Sequence, residues 1–112
     1  LLLEDATGGV FGAFLPDAYR WSPTSYFGGG ESFLFRGRPS PAACFPSTLA
    51  NTHHAHASSS GLAFGTGPRG AGLFIDTSFE RGSSRASDTY ANPELTSTGD
   101  FRCLRVEAWC LP

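Results

Sequence analysis

Apolar residues fall along this chain in short runs with sharp polar breaks. "LLL" opens it, "VFGAFL" follows at 10–15, and the intervening "EDATGG" is rich in turn formers, so residues 1–15 predict a β-hairpin. Gly12 interrupts the second strand, where it marks a bulge or a close approach of another backbone. Residues 31–36, "ESFLFR", predict the next strand. Alternation puts Phe33 and Phe35 on one face, expected in the core, and Ser32, Leu34 and Arg36 on the other. "GLAFG" (61–65) and "GAGLFI" (70–75) predict a strand pair joined by "TGPR". The chain closes on "DFRCLRVEAWCL", with Phe101, Cys103, Arg105, Glu107 and Trp109 on one face. Arg102, Leu104, Val106, Ala108 and Cys110 form the other, more apolar face, as in a sheet packed mainly on one side.

Three segments lack such a pattern. Residues 16–30 read as a loop anchored by Tyr19, Trp21, Tyr26 and Phe27. Residues 37–60 hold three prolines and a serine run, with room for one or two short edge strands. Residues 76–100 are polar and aperiodic. Nowhere do apolar residues recur at the helical period, so the pattern predicts an all-β sandwich, or an α+β fold whose helices lie elsewhere.

Composition narrows this to one small domain: 112 residues, 40% hydrophobic, with 14 glycines and 8 prolines. That is too apolar and too weakly charged for a disordered tail. The net charge of −2 and eight dispersed arginines argue against a nucleic-acid partner. Three cysteines, Cys44, Cys103 and Cys110, without CxxC spacing fit neither a disulfide framework nor a zinc site, which points to a reducing, cytoplasmic setting. No stretch approaches the roughly 18 apolar residues of a membrane span, so membrane insertion is not expected. "LLLED" is too short for a signal peptide and reads as the inside of a strand, as if this were part of a longer polypeptide.

Candidate chemistry is sparse. "GGGES" (28–32) lacks the Lys-[Ser/Thr] ending of a phosphate loop, and "GTGPRGAG" (65–72) does not open a helix, so both are expected to serve as tight turns. In "HHAH", His54 and His56 would share a strand face with His53 turned away; surface or edge histidines are expected, with no metal and no cofactor. "AACFP" and "EAWCLP" do not form a nucleophile turn. Glu31, Asp76, Glu80 and Glu107 sit at strand ends or on a strand and would act as acid and base only by converging in space. Otherwise each accepts a local hydrogen bond. The long segment 75–95 is expected to be either a binding surface or a loop held by Asp76, Ser83, Asp88 and Asn92.

Taken in order, these words resemble the TLDc domain of the oxidation-resistance protein family. "DATGGVFGAF" (5–14), "YRWS" (19–22), "YFGGGESFLF" (26–35), "SGLAFGTGPRGAGLFIDTSFERGSS" (60–84), "DTYANPEL" (88–95) and "DFRCLRVEAW" (100–109) are each similar to a family motif. The stretch "NTHHAHA" (51–57) departs from the family's strand at that place. The resemblance implies a mainly β fold: a two-sheet antiparallel sandwich, the C-terminal two-thirds of the domain, with the N-terminal helices missing from this chain. It implies no established active site and a non-enzymatic protein–protein interaction module. The expected partner is a vacuolar-type proton-pumping ATPase, engaged in the cytoplasm or at an organelle membrane, with a link to oxidative-stress resistance. A structural subunit of a large cytoskeletal or organellar assembly is the alternative, and a redox-active protective protein a second one. Partner contacts are expected at Glu31, Asp76, Glu80, Arg81 and Glu107, and structural turns at Gly12, Gly28, Gly30, Gly82, Asn92 and Pro93.

Overall fold

The computed structural model describes residues 1–16 and 25–108. The expected hairpin forms from β1 (Leu2–Asp5) and β2 (Val10–Phe14), and β3 (Phe33–Arg38) pairs with β2. The one or two edge strands expected within 37–60 are two, β4 (Ala43–Pro46) and β5 (His56–Ser58). The expected pair at 61–75 is β6 (Gly61–Gly67) and β7 (Gly70–Asp76), followed by β8 (Arg81–Ser83) and β9 (Asp100–Glu107). All pairings are antiparallel, in the order β4-β3-β2-β1-β9-β8-β7-β6-β5, and no helix occurs among the described residues.

Strand β9 is where the two halves join. Asp100–Arg102 pairs with β8, whereas Cys103–Glu107 pairs with β1. The two halves then face each other as the expected two-sheet sandwich. A Cβ added at Gly72 of β7 would stand 2.9 Å from Leu34 Cδ1 of β3, so the sheets close tightly there. Leu3, Phe11 and Leu34 of one half meet Phe64, Leu73 and Ile75 of the other, all fully buried. Phe11 meets Phe101 edge to face at 4.8 Å.

Two expectations about strand faces are corrected. Leu34, not Phe33 and Phe35, fills the core. The two phenylalanines do share a face, but the register pairs Phe33 with Phe14 and Phe35 with Gly12 on the outer side. There Phe33 stacks on Phe14 at 5.0 Å, and the Phe35 ring covers Gly12, where a Cβ would lie 2.6 Å from it. Alternation defines two faces, but only the partner strand decides which is inside.

On β9 the alternation itself breaks. Glu4 pairs with Arg105 and Asp5 with Cys103, leaving Leu104 as an extra residue in a β-bulge. Phe101 and Cys103 therefore point inward before the bulge and Val106 after it, while Leu104 is 64% exposed. The expected apolar face of Leu104 and Val106 does not exist as one face. Trp109 and Cys110, like Tyr19 and Trp21, lie outside the described residues.

Leu34→Ala should lower stability by about 3 kcal/mol, a buried leucine losing contact and leaving a cavity. Leu104→Ser should change it by less than about 0.5 kcal/mol, as for an exposed position. Urea denaturation of both variants checks this assignment of faces.

Candidate interaction surface

The irregular segments that frame the sandwich are pinned by a buried polar network centred on Tyr90, which is 1% exposed. Its hydroxyl donates to the His54 carbonyl at 3.0 Å and lies 3.0 Å from Ser32 Oγ. Ser32 Oγ donates to the Gly29 carbonyl, and Ser47 Oγ lies 2.9 Å from His54 Nε2. The glycine turn, the 47–55 segment and the 84–96 arm thus share one set of hydrogen bonds. Burial pushes the Tyr90 phenol up from its ordinary value. The arm is held by its own side chains as well. Asn92 Nδ2 donates to the Arg85 and Pro93 carbonyls, Ser87 Oγ donates to Asn92 Oδ1, and Ser84 Oγ ties Gly72 to Leu95. Ser84 and Ser87 serve here rather than Ser83, and Asp88 pairs instead with Arg69 at 3.2 Å.

The histidines are arranged otherwise than expected. His54 is buried, 5% exposed, and it is His53 and His56 that approach one ring, Tyr26, at 4.4 and 5.6 Å. Regular strand begins only at His56, so the period of two does not apply to residues 53 and 54. Desolvation, reinforced by His53, lowers the pKa of His54 from 6.5. Its Nδ1 has no partner among the described residues. No group of three or more His, Cys, Asp or Glu able to hold a metal occurs among them either.

Of the five expected contact residues, the fold gathers Asp76, Glu80 and Arg81 in the β7–β8 turn. Asp76 Oδ1 accepts from the amides of Glu80 and Arg81 and from Ser78 Oγ. The Glu80 amide first, then the others, holds its carboxyl below the usual value. Glu107 lies at the far end of β9, paired at 3.2 Å with Arg105, which also reaches Glu4. Glu31 is exposed in the turn before β3, with Gly28 at φ +89° in the same turn. No two of these acids pair as acid and base. Gly82, expected at a turn, lies inside β8; a Cβ there would stand 2.1 Å from the Phe74 carbonyl oxygen, so only glycine fits.

The turn abuts a surface that strand reading missed. Arg81 pairs with Arg102 across β8 and β9; their neighbours Gly82 and Phe101 pair with Phe101 inward, so both guanidinium groups point outward. The Cys103 amide donates to the Glu80 carbonyl at 2.7 Å; Phe79, one residue further back, lies in the β7–β8 turn with its amide donating to the Asp76 carbonyl. Phe79, with φ +57°, is 45% exposed. Leu104 thus shares the outer face of β9 with Arg102, two residues along from the Arg81–Arg102 level, and the exposed Phe79 lies in the adjoining turn. Arg69, Arg85 and Arg105 each have a carboxylate partner; Arg36, Arg38, Arg81 and Arg102 have no ion pair among the described residues, and of these only Arg81 and Arg102 stand directly opposite each other. Like charges directly opposite on a sheet repel, so this pair is conspicuous.

Elsewhere, a shallow cleft of about 170 Å³ lies between the β6–β7 turn and the arm, lined by Asn51, His53, Thr66, Arg69 and Asp88. Thr66 Oγ1 is buried without a partner among the described residues. Cys103 donates to the Arg105 carbonyl, and burial pushes its thiol up, away from the reactive thiolate; Cys44 is exposed on β4.

Comparison with known proteins places these features in a family. A sequence model described as TLDc domain matches residues 1–111. Nuclear receptor coactivator 7 of Gallus gallus is 30% identical over 109 residues, covering 97% of this chain and 12% of that protein. Oxidation resistance protein 1 of Eremothecium gossypii is 32% identical over 116 residues, covering 97% of the chain and 48% of the relative. The protein of the same name in Schizosaccharomyces pombe is 31% identical over 116 residues, covering 99% and 61%. The chain thus spans less than two thirds of each of these relatives.

Tyr90→Phe keeps the ring but removes the hydroxyl donor to the His54 carbonyl, and should cost about 1–3 kcal/mol in urea denaturation. His54 sets a pH dependence whose sign follows from its lowered pKa. The native chain binds fewer protons than the unfolded one near its ordinary 6.5, so stability is full above that pH and falls as pH drops below it. Denaturation between about pH 7 and about pH 5 should show this decline, and His54→Gln should flatten it.

Proposed function

The chain belongs to the TLDc domain family, and from that membership we propose that it is a non-enzymatic protein–protein interaction module serving oxidation resistance. Its proposed partner is a vacuolar-type proton-pumping ATPase, which it binds and regulates from the cytoplasmic side of an organelle membrane. The observation that carries the interaction reading is the exposed Phe79 and Leu104 beside Arg81 and Arg102, which have no ion pair among the described residues. Such a surface suits contact with another protein better than contact with water alone. The names of the relatives, Oxidation resistance protein 1 above all, support the protective role.

A second reading, a structural subunit of a larger assembly, draws on the aromatic outer face of Phe14, Phe33 and Phe35. One experiment separates the two. The tagged chain is used to capture proteins from a cell extract, which are then probed for catalytic-sector subunits of the ATPase. Recovery of those subunits, with altered proton pumping on addition of the chain, is the expected result; recovery of cytoskeletal or organellar components without them would favour the second reading. Replacing Cys44, Cys103 and Cys110 together should leave protection against peroxide intact, since the proposed role uses no thiol chemistry; lost protection in a folded variant would speak for a redox role.

A further inference from the structure

We propose that the outer face of β8 and β9, formed by Phe79, Arg81, Arg102 and Leu104, docks an extended acidic segment of a partner protein with an apolar residue two positions from its carboxylate. The inference rests on the interaction-module reading above and names the chemistry of the partner.

The spacing supports this occupant. Arg81 and Arg102 form one cross-strand level, and Leu104 stands two residues along β9, with Phe79 in the turn that precedes Arg81. At about 3.3 Å per residue Leu104 lies about 7 Å from the arginine level, the same-face repeat of an extended chain. A partner strand with a glutamate or aspartate at one position and a leucine-like residue two further on presents both to the matching level. Guanidinium groups take carboxylates through paired, charge-assisted hydrogen bonds. Neutralising Arg81 and Arg102 together removes their mutual repulsion, a gain available only when the partner binds.

Charge also selects against other occupants. A second copy meeting this face symmetrically would bring four arginines together. Asp76 and the exposed Glu80 rim the surface, and Glu4 and Glu107 flank Arg105 beyond it. A long polyanion such as nucleic acid, or an anionic membrane, would be repelled by that rim, whereas a short acidic segment fits inside it. Leu104 shares the outer face of Arg102 by the strand's period of two, and the bulge shifts only the residues after it, turning Val106 inward.

The test measures binding of a fluorescein-labelled peptide repeating glutamate, serine, leucine and serine to the 112-residue chain by anisotropy. Expected is salt-sensitive binding that falls at least about tenfold in the Arg81→Glu/Arg102→Glu double variant and severalfold in Leu104→Ser. Arg38→Glu, altering an exposed arginine on β3, should leave it unchanged. Absence of binding, equal loss with Arg38→Glu, equal binding of the lysine-for-glutamate peptide, or tighter binding to phosphatidylserine vesicles would each overturn the proposal. Circular dichroism confirms that each variant is folded, and the exposed positions make loss of fold unexpected. Capture of the ATPase is then repeated with the double variant. Capture by both forms overturns this surface and spares the proposed function; capture by neither overturns the function, while the peptide result still decides the surface.

Discussion

Strand β9 carries both halves of this protein. Asp100–Arg102 pairs with β8 and Cys103–Glu107 with β1, so a single stretch of backbone couples the two sheets. The handover requires an irregularity, and Leu104 supplies it: the extra residue twists the strand and lets Phe101 and Cys103 serve one part of the core while Val106 serves another. Leu104 keeps the outer face it shares with Arg102, and the shift falls on the residues after it, so that Val106 rather than Arg105 turns inward.

Around this joint, much of the chain is neither helix nor strand, and its backbone groups still need partners. The Tyr90 network meets that requirement by drawing on side chains from three distant segments at once. Ser84, Ser87 and Asn92 do the same within the arm, where short polar side chains replace a ladder. Such an arm is rigid without being regular. It explains how a small domain with a modest apolar core keeps long connections fixed, and why its buried positions include so many serines and threonines.

The strands at 1–15 and 61–75 were legible because each pairs with its sequence neighbour across a short turn, so local pattern and tertiary pairing coincide. The edge strands β4 and β5 were legible only as one or two strands somewhere in 37–60, not by position, since prolines and small residues obscure their alternation. Within the candidate surface, Asp76, Glu80 and Arg81 stood out as charged residues in one word of sequence. Arg102, Phe79 and Leu104 did not, because their grouping depends on a register twenty-one residues apart at Arg81 and Arg102. Glu31 and Glu107 carry the same charge as the turn acids yet lie apart from them, a separation no local pattern encodes.

By itself, the sequence determined the strand-rich class, the turn chemistry and the order of family words, because these rest on alternation and on residue types read over short spans. Tertiary structure alone decided which face of β3 is inside, where β9 breaks, which histidine is buried and which arginines stand opposite each other. Each of those depends on strand register, and register is fixed by the simultaneous packing of distant segments, a constraint that no local stretch contains.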